Sequence, residues 1–336
     1  MNVIDFTNCK ELINDFGGSE KKKKINYNNE IFMIKFPDPI REDNNDLSYV
    51  NNTFSEYIGC HIYNSCKIPA QKTYLGIYYD KSSKKEKVVV ACRSFENDNL
   101  KLVEFSKFLL SSNFDSKSND KLELNEILNI MKTDERLNKT NSLEMFYKTL
   151  IIDTLIGNED RHQDNFGFTY NNNSNNIVLQ YSPIYDCGSC LSPLVSDNVM
   201  EKYLNNEVDF KNKEYNLYFK YCNNGKRINM HEFFNQILTD NNLISSLKEV
   251  YNNINIDIIN NIIDNTNYIS DIRKEYIKKS IKIRYDLIIT PAYNKIKSNN
   301  LEYEVDEIKT DSLIKDKNNT INNNNGIEKT ENDGRK

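Results

Sequence analysis

A chain of 336 residues, 38% hydrophobic and 28% charged, has material for one large domain or two lobes around a sizeable core. Its net charge of −5 gives no global attraction to nucleic acid. No apolar run reaches the roughly 18 residues of a membrane-spanning helix, so neither direct nucleic-acid binding nor a membrane span is expected. The opening Met1–Phe6 has no basic lead and no long apolar stretch, which predicts a cytoplasmic protein, with signal-independent secretion into a host as the alternative. Among the cysteines, Cys187 and Cys190 form a C-x-x-C pair. Only Cys60, His61 and Cys66 come near a second ligand pair for zinc, at poor spacing, so free thiols are expected.

Residues 1–16 mix apolar and polar side chains and suit a first strand. Phe16-Gly17-Gly18-Ser19-Glu20 follows, then four lysines, Lys21 to Lys24. Glycines let backbone N–H groups approach and cradle an anion, but a hairpin turn with a solvated basic tip is the plainer reading of this segment alone. Ile31 to Phe36 reads as a strand, and Lys35 within it must either reach solvent or meet a buried anion. After a polar loop, Phe54, Ile58 and Ile62 recur every fourth residue and predict a helix from about Ser48 to Cys66, carrying Glu56. Thr73–Tyr79 and Lys87–Cys92 predict a hairpin whose second strand is central, and the chain then passes Cys92 and Arg93.

Beyond Asn97 the pattern reads as helical. Leu100, Val103 and Phe108 mark one segment, and Leu124 to Met131 a second. A third starts near Asn141, with Glu144 in capping-box register, and ends at Gly157. Ile177–Tyr181 suits a short strand. Ile272, Tyr276, Ile283 and Leu287 mark a late helix stopping at Pro291, and the charged, Asn-rich tail after Ser298 is predicted to be disordered.

The chemistry concentrates between residues 155 and 190. Asp160 and Asn165 lie in a polar segment just after the third helix, and Asp186 follows in Ile184-Tyr185-Asp186-Cys187-Gly188-Ser189. Phosphoryl transfer from a nucleoside triphosphate needs this set: one carboxylate to orient the nucleophile, and an amide oxygen and a second carboxylate to hold magnesium. A glycine-rich turn, a strand lysine, a helix glutamate, Asp-x4-Asn and Asp-x-Gly occur here in the order found in protein kinases. The details exclude an ordinary eukaryotic-type kinase. Asp160 is followed by Arg161-His162 rather than preceded by His-Arg, Cys187 stands where such kinases have Phe, and no Ala-Pro-Glu follows.

Gly157-Asn-Glu-Asp-Arg-His-Gln-Asp-Asn-Phe166, Ser182-Pro-Ile-Tyr-Asp-Cys-Gly-Ser189, Phe32-Met-Ile-Lys-Phe-Pro37 and Ser55-Glu-Tyr57 resemble the HipA-like kinases. The resemblance implies an α+β, two-lobed protein-kinase-like fold, with a β-rich N-lobe over 1–97, a mainly helical C-lobe over 98–297 and a tail over 298–336. It implies transfer of phosphate from ATP, with Mg²⁺, to Ser or Thr of a protein substrate, and autophosphorylation in the glycine loop. Carried over, Gly17, Gly18 and Ser19 would cradle phosphate, with Ser19 a candidate phosphorylation site. Lys35 would contact the ATP phosphates with Glu56 as its partner, and by position Cys92-Arg93-Ser94-Phe95 falls where a kinase hinge would face adenine, with Cys92 and Arg93 as its candidate contacts. Asp160 would receive the substrate hydroxyl proton, and Asn165 and Asp186 would hold the metal. His162 stands where many kinases place a lysine, to meet the γ-phosphate or to brace the loop, and Arg161 reads as a loop anchor. An Asp-Arg-His-x-x-Asn block also occurs in phosphoinositide kinases, which keeps a lipid or small-molecule acceptor open. An ATP-binding pseudokinase-like module is the remaining reading. A regulatory or antitoxin partner is not identifiable from these residues.

Overall fold

The computed structural model describes residues 3–13, 21–39, 50–111, 123–173, 177–236 and 240–298. The glycine-loop residues Gly17, Gly18 and Ser19 and the tail beyond 298 lie outside them.

The first part of the chain is a five-stranded antiparallel sheet of β1 (Lys10–Leu12), β2 (Lys22–Tyr27), β3 (Glu30–Lys35), β4 (Thr73–Asp80) and β5 (Lys85–Arg93), in the order β1-β2-β3-β5-β4. Asn28 and Asn29, both at positive φ, make the tight β2–β3 turn, a conformation Asn tolerates well. Strand alternation then sorts the side chains. Phe32 and Ile34 join Phe6, Ile25, Tyr78, Val89 and Ala91 in a core on one face. Met33 and Lys35 point to the other, where helix α1 (Asn52–Ser65) packs against β4 and β5. The four lysines are therefore not a solvated tip. Lys22 to Lys24 are strand residues; Lys21 pairs with Asp80, Lys23 pairs with Glu11, and Lys22 lies directly opposite Lys35.

The next segment corrects one expectation. Leu100–Glu104 is a strand, β6, and only Phe105–Ser111 is helical, as α2. After α3 (Leu124–Thr133) and α4 (Ser142–Ile156), β7 (Gly167–Asn171) and β8 (Gln180–Tyr181) complete a small sheet ordered β6-β7-β8. Pairing with β7 decides the matter for 100–104, because an isolated five-residue segment has no intrinsic reason to choose helix. Helix α4 is buried on nearly every side, as a central helix of a helical layer should be. Its first turn carries no side-chain cap; Glu144 pairs with Lys148 instead of closing a capping box.

The remainder is α5 (Asp197–Asn205), α6 (Glu207–Tyr215), the hairpin β9 (Tyr218–Asn223) and β10 (Lys226–Asn229), then α7 (Met230–Gln236), α8 (Asn241–Asn253), α9 (Ile256–Asp264) and α10 (Asp271–Arg284). Ser196, Asn206, Asp240, Asn255 and Ser270 cap the starts of α5, α6, α8, α9 and α10 through side-chain oxygens that accept first-turn N–H groups. A π-helical turn, Tyr285–Ile289, follows α10. Pro291 does not end helical structure as expected. Residues 291–298, at the start of a second unit, are helical as well.

Candidate active site

The loop bearing Asp160 is built from the end of α4. Gly157 adopts the left-handed conformation (φ 64°), and the Asn158 N–H donates to the Asp153 carbonyl at 2.8 Å, closing the helix end. A Cβ at Gly157 would lie 2.9 Å from Arg284 Nη1, so this turn needs glycine twice over, for its φ and for its space. Arg284 donates to the Leu155 carbonyl at 2.8 Å and pairs with buried Glu214, fastening the base of the loop.

Under the loop lies Arg161, 1% exposed. Its Nε and Nη2 grip the Asp153 carboxylate at 2.9 and 3.0 Å. Its Nη1 donates to the carbonyls of Asn165 at 2.8 Å and Tyr185 at 2.5 Å. One guanidinium thus holds the backbones of the two segments that carry Asn165 and Asp186. Tyr63 of α1 adds an O–H bond to Asp153 at 2.7 Å, and Asn158 a side-chain N–H at 2.9 Å. Arg161 is a loop anchor, not a phosphate ligand.

Across the cleft, Lys35 Nζ lies 2.9 Å from Glu56 Oε2 and 2.8 Å from Asp186 Oδ1. Glu56 is fully buried on α1, whereas the Asp186 side chain keeps 32% exposure. Burial alone would raise the Asp186 carboxyl, but the Lys35 ammonium outweighs it and, with Lys22 helping, holds the group down at about 2. The Asp186 loop is seated on α1 and on the segment after it. Cys187 and Cys190 pack on Gly59, where a Cβ would lie 2.8 Å from Cys187 Cβ. Ile184 and Ala70 form a parallel bridge, with Ile184 N–H donating to the Pro69 carbonyl at 2.8 Å. Asp186 itself sits at φ 56°, a sparsely populated conformation for a residue with a Cβ. All seven cysteines are free thiols, as expected, and burial raises the Cys190 thiol.

Asn165 is oriented by its own loop. Its Nδ2 donates to the Asp160 carbonyl at 2.9 Å, which leaves the amide oxygen as the atom it could offer a metal. An amide oxygen and a carboxylate fit a hard divalent cation that draws its other oxygens from phosphate and water. Among the described residues no group of three or more His, Cys, Asp or Glu side chains is placed to hold a metal. His162 Nδ1 accepts the Asp164 N–H at 3.2 Å. The Asp160 carboxylate is 40% exposed. Ser189 Oγ lies 3.5 Å from its Oδ2, and Lys220 Nζ of β9 lies 3.1 Å from its Oδ1.

Two groups here were not found from sequence. Lys220 lies far along the chain from Asp160, with no spacing signal linking them. Lys22 was legible in principle, since pairing its strand with β3 puts it on the face of Lys35. At the hinge, Cys92 is buried within β5. The Arg93 N–H donates to the Lys72 carbonyl at 2.8 Å, its carbonyl accepts from Gln71 Nε2 at 2.9 Å, and its side chain pairs with Glu30. The next N–H, of Ser94, donates to the Ile31 carbonyl. The Phe95 N–H is the first after β5 without a partner among the described residues. A cavity of about 590 Å³ flanks this stretch, lined by Ile31, Gln71, Arg93, Phe95 and Pro183 among others, and it does not include Lys35, Asp160 or Asp186.

The HipA-like C-terminal domain family matches residues 15–254. Over 265 residues the chain is 36% identical to the serine/threonine-protein kinase CtkA of Helicobacter pylori (strain J99), covering 77% of this chain and 78% of that protein. The crystal structure of a Helicobacter pylori proinflammatory kinase CtkA superposes with a TM-score of 0.79 at 34% identity, covering 88% of this chain and 98% of that one. A chain of the Shewanella oneidensis MR-1 toxin–antitoxin complex of HipA, HipB and operator DNA gives a TM-score of 0.52 at 12% identity over 83% and 67%, a likeness of fold. With its Lys35–Glu56–Asp186 cluster set opposite the Asp160 loop and these matches over most of its length, the chain belongs to the HipA-like C-terminal domain family.

Proposed function

We propose that the protein is an ATP-dependent serine/threonine protein kinase. The observation that carries this reading is Lys35 Nζ, shared between Glu56 and Asp186 at 2.9 and 2.8 Å in the cleft faced by the Asp160 loop. A cation fixed by two carboxylates cannot swing away, so it stands ready for phosphate. The sequence relation to CtkA supports a protein acceptor over a lipid one.

In this reading the acceptor hydroxyl docks on Asp160, which orients it and takes its proton as the oxygen attacks the γ-phosphorus. Asn165 and Asp186 would hold a divalent cation, Mg²⁺ by their all-oxygen donors, which would neutralise phosphate charge when bound. Lys35 and Lys22 add positive charge on the opposite face. Arg161 acts only by fixing backbones. The adenine meets the chain at Phe95, the last residue of the expected hinge stretch 92–95 and two beyond Arg93. The boundary between an N-lobe of 1–97 and a C-lobe of 98–297 falls between β5 and β6, and autophosphorylation belongs to the segment of Ser19. No helix among the described residues is long and apolar enough to cross a membrane, and a cytoplasmic site of action fits this.

The test is incubation with γ-labelled ATP and Mg²⁺, alone and with a basic protein. Label should enter protein and be lost with Asp160→Asn at an unchanged melting temperature. Labelling of phosphoinositides alone would replace the protein acceptor with a lipid. Stabilisation by Mg·ATP with no transfer would make the chain a binding module.

A further inference from the structure

The loop around Asp160 brings no free cation of its own to the reacting groups. Arg161 is consumed by Asp153 and by backbone carbonyls, and His162 is turned to Asp164. The cation on Asp160 comes from elsewhere: Lys220 Nζ lies 3.1 Å from Oδ1, and among the described residues no other Lys or Arg pairs with this carboxylate.

The placement of Lys220 is built into the fold. Its neighbours Phe219 and Tyr221 are buried, against Phe233 and against Phe146 of α4, so strand alternation turns Lys220 to the opposite side, towards the loop. The hairpin is also tied to the residue before Asp160. The Tyr218 N–H donates to Glu159 Oε1 at 3.0 Å. Arg227 Nη2 lies 3.8 Å from the same carboxylate oxygen and 3.5 Å from the Glu159 carbonyl, while Arg227 also donates to the Phe219 and Tyr218 carbonyls at 2.9 Å each. The two oxygens of Asp160 are then differently used. Oδ1 faces Lys220, and Oδ2 faces a hydroxyl, that of Ser189 at 3.5 Å, which marks the approach an acceptor hydroxyl would take.

We infer that Lys220 is a further cation of the transfer reaction, beside Lys35 and Lys22, supplied by the β9–β10 hairpin where His162 replaces a loop lysine. The inference rests on the kinase reading of the site. Lys220 holds Oδ1 and so leaves Oδ2 for the acceptor. The acceptor oxygen forms its bond to the γ-phosphorus, the bond from that phosphorus to the bridging oxygen breaks with its electron pair leaving on ADP, and the hydroxyl proton passes to Asp160. Lys220 stays protonated throughout and offsets the charge of the phosphoryl group in transit.

The test compares the full-length wild type with K220M, which keeps the aliphatic stem, K220R, which keeps the charge, and D160N, in the γ-labelled ATP assay with melting temperatures measured alongside. K220M should lower kcat about 10- to 100-fold, leave KM for ATP within about twofold and melt like wild type, as a half-exposed side chain allows. K220R should recover most of the loss. K220M with kcat within twofold of wild type, while D160N is inactive, overturns the inference and leaves the kinase reading standing. So does a loss carried wholly in KM, or one equal in K220M and K220R. A wild type that transfers no phosphate removes the reading and the inference with it. Should K220M melt early, K220Q is judged by the same ratios.

Discussion

Two clusters of charge adjoin at Asp186, and they are finished differently. In the Arg161–Asp153 cluster both side chains are essentially inaccessible, and all five guanidinium N–H groups have acceptors: the two carboxylate oxygens, two carbonyls and the Cys187 sulfur. In the Lys35–Glu56–Asp186 cluster the lysine and glutamate are buried, but Asp186 still reaches solvent. A closed cluster offers nothing to a ligand and serves to hold backbone. An open one has a member that can exchange partners when phosphate and metal arrive. Burial of charge alone does not mark an active site; the unfinished edge does.

Breaking the closed cluster should have the largest effect. Arg161→Met strands the Asp153 carboxylate in the interior, and we expect a loss of about 3–5 kcal/mol, read as a fall in melting temperature and denaturation midpoint. The double variant Arg161→Met/Asp153→Leu should regain part of it. A single variant as stable as wild type would show that the anchor is not one. Breaking the open cluster should instead separate activity from stability. Asp186→Asn keeps the Lys35–Glu56 pair, and Asn accepts φ 56° readily, so transfer should fall about 100- to 1000-fold while the melting temperature falls much less than in Arg161→Met. An equal collapse of stability would erase the distinction.

Smaller changes sharpen it. Gly59→Ala would push α1 off the Asp186 loop, with a cost of about 1–3 kcal/mol and reduced transfer, unless Cys187 and Cys190 yield without shifting the loop. Acid supplies a milder probe. Burial raises the Asp186 carboxyl, Lys35 lowers it further, and the net value is about 2, below the unfolded value. Its stabilising contribution is therefore complete above the ordinary carboxylate range and is lost as pH falls through about 2. The difference in melting temperature between wild type and Asp186→Asn should shrink over that interval, and a constant difference would refute the pairing. Last, Arg93→Ala removes an exposed pair with Glu30, for which we expect no more than about 0.5 kcal/mol and an unchanged KM for ATP.

The residues that touch the chemistry were largely legible because their types and order carry it. Lys35, Glu56 and Asp186 meet, Asn165 bonds the Asp160 carbonyl, and the Lys35–Glu56 pair was expected from the kinase-like order of the whole set rather than from the lysine and glutamate by themselves. What was not legible depended on pairing across long separations. Leu100–Glu104 has apolar residues at helix-compatible spacing, and only its partner β7 makes it a strand. Lys220 reaches Asp160 through the docking of a hairpin that no local pattern announces. That the Arg93 backbone groups are spent within the 92–95 stretch follows from hydrogen bonds made by Gln71 and Lys72, which position along the chain does not encode.

The β2–β3 pairing has a further consequence. Lys22 opposes Lys35 and Lys24 opposes Met33, while Lys23 and Ile25 turn the other way. The run of lysines is thus a two-letter text whose meaning is set by phase. Deleting one residue from the Asn28–Asn29 turn would leave composition and charge almost untouched and yet rotate Lys23 and Ile25 towards the phosphates, exposing an apolar side chain where a cation stood. The length of that turn, as much as any charged residue, writes the electrostatics of the cleft.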